Sequence, residues 1–287
     1  MNPGLLGYEY FYESTIAPKE PLSRAIAGSL AATGIDARDI DMLIVASADV
    51  DFLADRQFLP ELLQRNGLSK ALPLAITSQE CTGLLSAINL ASAYVKSGSF
   101  AHILVVSYDR AKDDAHRIQT FGVLSDAASA CVVTSGSDPE LRIRGFSHKS
   151  DLRGMQGGDD FASRKALTNA VTDDVLAQGG VALAGVSKVF ATNFFKPVAR
   201  YNASNLGLGE HQLGPDRAPG FAHCQCADPL LNLSLFQGTD ETAGDGGLYL
   251  LQAYAPGFLA SMLVERVRAT TGRHAAAASP EAVVQSW

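Results

Sequence analysis

Basic charge is scarce in this chain. Its 23 Lys and Arg are outnumbered by 30 Asp and Glu, leaving a net charge of −7 at pH 7. A nucleic-acid binder would carry basic stripes instead. Charged residues of both signs make up only 18% of the sequence against 47% apolar ones, spread over 287 residues. That is enough for one large domain or two fused halves with ample core. Long hydrophobic runs are missing: no window of about 18 uninterrupted apolar residues occurs, so no membrane span is expected. Met1-Asn2-Pro3-Gly4 lacks a charged segment leading into an apolar one, so no secretory signal is read there. Cysteine is also sparse. Cys81, Cys131, Cys224 and Cys226 are the four present, which fits reduced thiols and a cytoplasmic location. His223, Cys224 and Cys226 do not read as a zinc set, because residues two apart rarely share a tetrahedral site and no second ligand pair lies nearby. No metal and no cofactor is expected.

What the chain does have is alternation. Leu22 to Ala32 reads as a helix, Met42 to Ser47 as a buried strand, and Phe58 to Asn66 as a second helix. Leu74 to Ile76 reads as a short strand, Leu84 to Ser97 as a helix with an apolar stripe, and His102 to Ser107 and Ala128 to Thr134 as strands. The second half repeats the order. Helices are expected at Ser163–Leu176 and Pro197–Leu206, with a strand at Lys188–Thr192 between them. A further helix runs from Asp228 through Leu235, followed by strands at Leu248–Tyr254 and Leu259–Val267. In this repeat Ile44 corresponds to Val189, Cys81 to Asp228, and Val105 to Leu251. Duplication on this scale decides the fold class. It places the buried strands in adjoining sheets, with the helices after Cys81 and Asp228 packed between them. The halves span residues 1–138 and 139–268, and 269–287 reads as a mobile tail. Gly154 to Gly158 reads as a surface loop, since no strand feeds it and no Gly-Lys-Ser follows.

Cys81 stands at the start of the Leu84–Ser97 helix. There the positive end of the helix dipole and unpaired backbone N–H groups would lower the thiol pKa toward a nucleophilic thiolate. A buried, inert cysteine is the alternative.

Cys81-Thr82-Gly83-Leu84, the helix ending Val95-Lys96-Ser97-Gly98 and the following Ile103–Ser107 resemble the thiolase fold, and within it the β-ketoacyl-acyl-carrier-protein synthase III group. Phe121-Gly122 with Ser125–Ala130, and Leu251–Phe258, resemble two further family segments. The resemblance implies an α/β thiolase-like fold of two βαβαβαββ halves in five layers, α-β-α-β-α. Ala222-His223-Cys224-Gln225-Cys226-Ala227-Asp228-Pro229 resembles a pattern of synthase-III-like acyltransferases of secondary metabolism. By that match Asp228 completes a Cys-His-Asp set. The family's histidine ends the strand Phe190-Ala191-Thr192-Asn193, and here Thr192 stands in its place. Threonine cannot act as a general base near neutral pH.

The resemblance implies that Cys81 forms an enzyme thioester with an acyl group from acyl-CoA or acyl-carrier protein. The backbone N–H groups of Cys81 and Gly257 would form the oxyanion hole. His223, close in sequence to Asp228, could substitute as the base, although its motif position in the family reads as structural, and Asn193 is expected to bond locally or to substrate. Because Thr192 replaces the histidine, malonyl decarboxylation is not expected. Two other readings stand beside an acyltransferase or condensing enzyme. One is a non-catalytic partner subunit of an active synthase; the other is a thioesterase- or cyclase-like use of the same pocket. A homodimer or heterodimer with a related synthase is expected through His102–Ser107. The lead-in before Leu22 is shorter than in the family, which would trim the pocket wall.

Overall fold

A computed structural model of the chain describes residues 4–11, 19–136, 139–158, 160–215, 218–237 and 246–267. The expected tail, 269–287, lies outside them, as does residue 138 at the expected boundary between the halves. The first half runs β1 (Gly4–Phe11), α1 (Lys19–Thr33), β2 (Met42–Ala46), α2 (Phe58–Arg65), β3 (Leu72–Ile76), α3 (Gly83–Lys96), β4 (His102–Asp109) and β5 (Ala127–Thr134). The second runs β6 (Leu141–Ser150), α4 (Phe161–Gly179), β7 (Lys188–Ala191), α5 (Lys196–Leu206), a one-turn α6 (Ala218–Phe221), α7 (Asp228–Gln237), β8 (Leu248–Ala255) and β9 (Phe258–Arg266).

The strands hydrogen-bond in the order β3-β2-β4-β5-β1-β6-β9-β8-β7. Equivalent strands of the two halves therefore mirror each other about β1 and β6, which meet only where Gly4 and Leu5 pair with Arg142 and Leu141. Ile44 and Val189 fall on β2 and β7, and Val105 and Leu251 on β4 and β8. Where the second half would repeat β3, the described residues show a single bridge between Val189 and Leu213.

β2 shows why the layers form. Every residue of Met42–Ala46 is buried, and β2 runs parallel to both β3 and β4. A strand in that setting is covered on both faces and needs apolar side chains on each. Met42, Ile44 and Ala46 pack with Leu84, Leu85 and Ile88 of α3. Leu43 and Val45 point the other way, onto Leu22 and Ile26 of α1 and Leu62 of α2. The α3 layer also holds Leu230, Leu233 and Phe236 of α7, together with Leu251 and Met262 of the second half. Both central helices are thus clamped between the half-sheets, and each fully buried Leu or Ile contributes roughly 1.5–3 kcal/mol. α4 covers the outer face of the second half through Val175 and Leu176, against Leu250 and Leu263. It comes so close to β6 that a Cβ on Gly145 would lie 2.9 Å from the Val175 carbonyl oxygen. With α5 beside α4, the layers run α-β-α-β-α.

Three expectations need correction. β1 and β6 are strands that periodicity did not reveal; each pairs at the seam between the halves. Part of the segment expected to be a pocket loop, Ser147 to Asp160, belongs to β6 as far as Ser150. The strand expected to carry a dimer edge has no edge to offer. β4 is flanked by β2 on one side and β5 on the other. The free edge at this end of the sheet is β3, where Leu72 is exposed.

Candidate active site

Cys81 lies in a 3-10 turn, Glu80–Thr82, that hands the chain from β3 to α3. The turn is sharp enough to put Glu80 at φ +47. Non-glycine residues seldom adopt this left-handed region, and such strain persists where the surroundings hold it. The other positive-φ non-glycine residues described are Ala222 and Gln225, which flank His223 on the opposite side of the site. All three sit beside the candidate site residues.

His223 is the residue the structure brings to Cys81. Its Nε2 lies 3.7 Å from Cys81 Sγ, and its Nδ1 lies 2.5 Å from Asp228 Oδ2. Asp228 is fully buried and held on every side. The backbone N–H of Asn193 donates to its Oδ2 at 2.7 Å, and the Asn193 amide Nδ2 donates to its Oδ1 at 3.0 Å. The Cys224 backbone N–H donates to Oδ1 at 2.7 Å. With Asp228 accepting at Nδ1, the His223 tautomer and ring plane are fixed and Nε2 is aimed at the thiol. The His223 backbone is anchored too, donating to the Val123 carbonyl and accepting from the Ser125 N–H.

Burial opposes a charged His223, but the adjacent Asp228 carboxylate, through its charge and its hydrogen bond, outweighs it. The imidazole pKa is pushed up to about 10. The thiol does not behave as its helix-start position predicted. Burial raises the Cys81 pKa, and His223 pulls in the opposite direction without overcoming it. The dipole argument considered only the helix end; the dense surroundings of Sγ dominate.

Thr192 does not stand at the thiol. It is buried at the end of β7, and its Oγ1 accepts the Tyr254 backbone N–H at 3.0 Å, bracing β7 against β8. Asn193 bonds locally, as a clamp on Asp228. Its own Oδ1 accepts from Asn232 Nδ2 at 2.9 Å. Gly257 forms the β8–β9 turn with φ +72, and any Cβ there would lie 2.3 Å from the Met155 backbone nitrogen. Its carbonyl accepts the Asp151 N–H. Cys224 and Cys226 turn away from His223: their thiols donate to the carbonyls of Phe221 and Glu80.

The thiol opens into a pocket of about 70 Å³ lined by Phe121, Arg164, Phe194, His223, Tyr254 and the Ala255–Pro256 turn. Pro256 has no N–H to offer a developing oxyanion. Phe121 and Phe194 place their rings edge-on or tilted to the imidazole, with centroids 5.9 and 6.1 Å away.

Sequence reasoning overlooked Asp109. This buried carboxylate ends β4 and accepts the N–H groups of Ala48 and Cys226 and the Ser47 hydroxyl. It ties the turn carrying His223 to the sheet below Cys81. An aspartate closing an otherwise apolar strand was the available signal.

The chain is similar to known proteins in sequence and in fold. Residues 77–152 match the model of the family described as 3-oxoacyl-[acyl-carrier-protein (ACP)] synthase III. A β-ketoacyl-[acyl-carrier-protein] synthase III of Neisseria meningitidis serogroup C is 25% identical over 211 residues, 65% of each chain. That of Helicobacter pylori is 30% identical over 120 residues, 41% of this chain and 34% of its own. The chain is similar to the synthase III family. The likeness in fold extends beyond the residues matched in sequence. An acyltransferase, ChlB3, superposes with a TM-score of 0.78 at 18% identity, covering 93% of this chain and 96% of its own. The synthase III of Pseudomonas aeruginosa gives 0.77 at 17%, covering 93% and 98%. At such identities these structures establish the fold. The sequence match takes in just under two thirds of the meningococcal relative.

Proposed function

We propose that this synthase III-like chain is an acyltransferase that carries its acyl group as a thioester on Cys81. The observation behind this reading is the alignment of Cys81 Sγ, His223 Nε2 and Asp228 through His223 Nδ1. The neutral form of His223, which the raised pKa makes the minority at neutral pH, takes the Cys81 proton, and Sγ attacks the carbonyl carbon of an acyl-CoA or acyl-carrier-protein thioester. The carbon–sulfur bond to the carrier breaks, and the carrier thiol leaves with a proton from His223. An acceptor alcohol or amine then gives its proton to His223 and attacks the acyl carbon, releasing Cys81. Asp228 holds the imidazole and balances its charge in both steps. The Cys81 and Gly257 N–H groups are the oxyanion donors in this reading.

Malonyl decarboxylation is not part of the proposal. It would need added stabilisation of the carbanion, and the family's second-half histidine is Thr192, which is committed to Tyr254. The likeness of the His223–Asp228 segment to acyltransferases of secondary metabolism favours transfer to an alcohol or amine. The aligned set counts against a non-catalytic partner subunit, which has no use for it. Pairing of two chains, identical or related, is assigned to the free β3 edge.

Intact-mass analysis after incubation with acyl-CoA tests the reading. An adduct on the wild type and none on Cys81→Ala is expected. The pocket of about 70 Å³ favours short groups, so acetyl- and propionyl-CoA should label where octanoyl-CoA does not. Absence of an adduct with every thioester overturns the proposal.

A further inference from the structure

Cys226 bridges the two turns that carry Cys81 and His223. It sits in the 3-10 turn Gln225–Ala227, just after His223, and is fully buried. Its thiol donates to the Glu80 carbonyl at 3.2 Å, and Glu80 immediately precedes Cys81. The same sulfur fills the space beside the first residue of α3: a Cβ on Gly83 would lie 3.9 Å from Cys226 Sγ. The Cys226 backbone N–H donates to Asp109 Oδ2 at 3.1 Å. The other Asp109 oxygen accepts the Ala48 N–H at 2.6 Å and the Ser47 hydroxyl at 3.1 Å, just beyond β2. One buried residue thus fastens the Cys81 turn through its side chain and the ends of β2 and β4 through its backbone.

Backbone strain is held at both ends of this bridge. Glu80 has φ +47 and Gln225 has φ +53. A left-handed conformation in a non-glycine residue persists where its neighbours over-determine it. Glu80 is held at its carbonyl by the Cys226 thiol, and Gln225 precedes the Cys226 N–H that Asp109 holds. Releasing either bond lets a strained turn relax. The 3.7 Å approach of Cys81 Sγ to His223 Nε2 spans these same two turns. A thiol is a weak donor, but a hydrogen bond inside a low-dielectric core gains strength.

We propose that Cys226 is a positioning residue: backed by Asp109, its thiol sets the distance between Cys81 and His223. The thiol itself takes no part in acyl transfer. The role rests on the Cys81–His223 pairing of the proposed function and adds what holds that pair in register. It also gives this second cysteine a use that a buried apolar side chain cannot supply, because alanine and valine have no proton to give the Glu80 carbonyl.

Iodoacetamide alkylation of the full chain, mapped to Cys81 by peptide mass, reads the contact without any acyl donor. Cys226→Ala removes the donor to Glu80. Its rate–pH profile should move to higher pH as the thiol loses the pull of the imidazole. The rate at pH 7 should then drop about tenfold for each unit of movement. Cys226→Ser keeps a donor and should hold the wild-type profile. Cys226→Val fills the space without donating; it should move the profile as alanine does, and serves if the alanine variant fails to fold. Adding Cys226→Ala to His223→Ala should give no further movement, since the contact it sets is already absent. A merely structural Cys226 would lower the melting temperature and leave the profile in place. An unmoved profile, a serine variant that behaves as alanine, or additive movements in the double variant overturns the proposal. Acylation of Cys81 with an unmoved Cys226→Ala profile refutes this inference alone. A moved profile without acylation by any thioester refutes acyl transfer alone.

Discussion

His223 Nε2 stands 3.7 Å from Cys81 Sγ across a sequence separation of 142 residues. The mirrored halves bring the two together: each comes from the turn ahead of a central helix, and α3 and α7 lie side by side between the half-sheets.

The first consequence concerns the thiol. Burial raises the Cys81 pKa and the imidazole draws it down. Alkylation by iodoacetamide should therefore climb with pH beyond neutrality rather than level off there. His223→Ala removes the opposing influence and should slow alkylation at pH 7 by about tenfold for each unit the thiol rises. An unchanged rate–pH profile in the variant would count against the pair.

The second is a stability profile. His223 has a folded pKa of about 10 against an ordinary value of 6.5. Its favourable partnership with Asp228 is complete below pH 6.5 and is lost as pH rises toward 10. The melting temperature of the wild type should fall more steeply over that window than that of His223→Gln. Parallel curves in a calorimetric pH series would refute this.

Asp228 supports both loops of the site, so its removal should be felt in folding as well as chemistry. Asp228→Ala leaves His223 buried without its counter-charge and strips acceptors from the Asn193 and Cys224 N–H groups. A loss of about 3–5 kcal/mol is expected for breaking a buried pair. Denaturant unfolding measures it.

Thr192 behaves as a brace in this structure. Thr192→Ala should cost about 1–3 kcal/mol, because the Tyr254 N–H is left unsatisfied, while Cys81 acylation in the folded fraction stays near wild type. Thr192→His should not introduce decarboxylation of malonyl-CoA, since the position faces β8 rather than the thiol. Carbon dioxide release from labelled malonyl-CoA reports the outcome.

The pairing edge can be tested by sedimentation. Leu72 lies exposed on β3, the terminal strand of the sheet. An apolar open edge invites pairing, and a lysine there discourages it. Leu72→Lys should shift a dimer toward monomer, whereas a dimer unaffected by the change would place the contact elsewhere.

The half-by-half repeat was legible because buried strands and amphipathic helices carry strong periodicities. Met42–Ala46 and Gly83–Lys96 could scarcely be anything else. β1 and β6 were not legible. Gly4–Phe11 alternates weakly, and β6 is broken by a register shift between Ile143 and Gly145. Their status as strands depends on partners distant in sequence. Cys81, Asp228 and the His223 segment could be picked out from local pattern, but their roles could not be ranked. Thr192 and His223 are equally plausible neighbours of a thiol until the chain is folded.

The sequence alone determined the duplicated α/β architecture and the thiol at a helix start, since both follow from local spacing and residue type. Tertiary structure decided which residue serves that thiol. It turned His223 toward Cys81 by fixing its other nitrogen on Asp228, and it turned Thr192 into a brace for Tyr254. It also reversed the expected direction of the Cys81 pKa. Desolvation and pair geometry depend on what surrounds an atom in space, and no local sequence window contains that information.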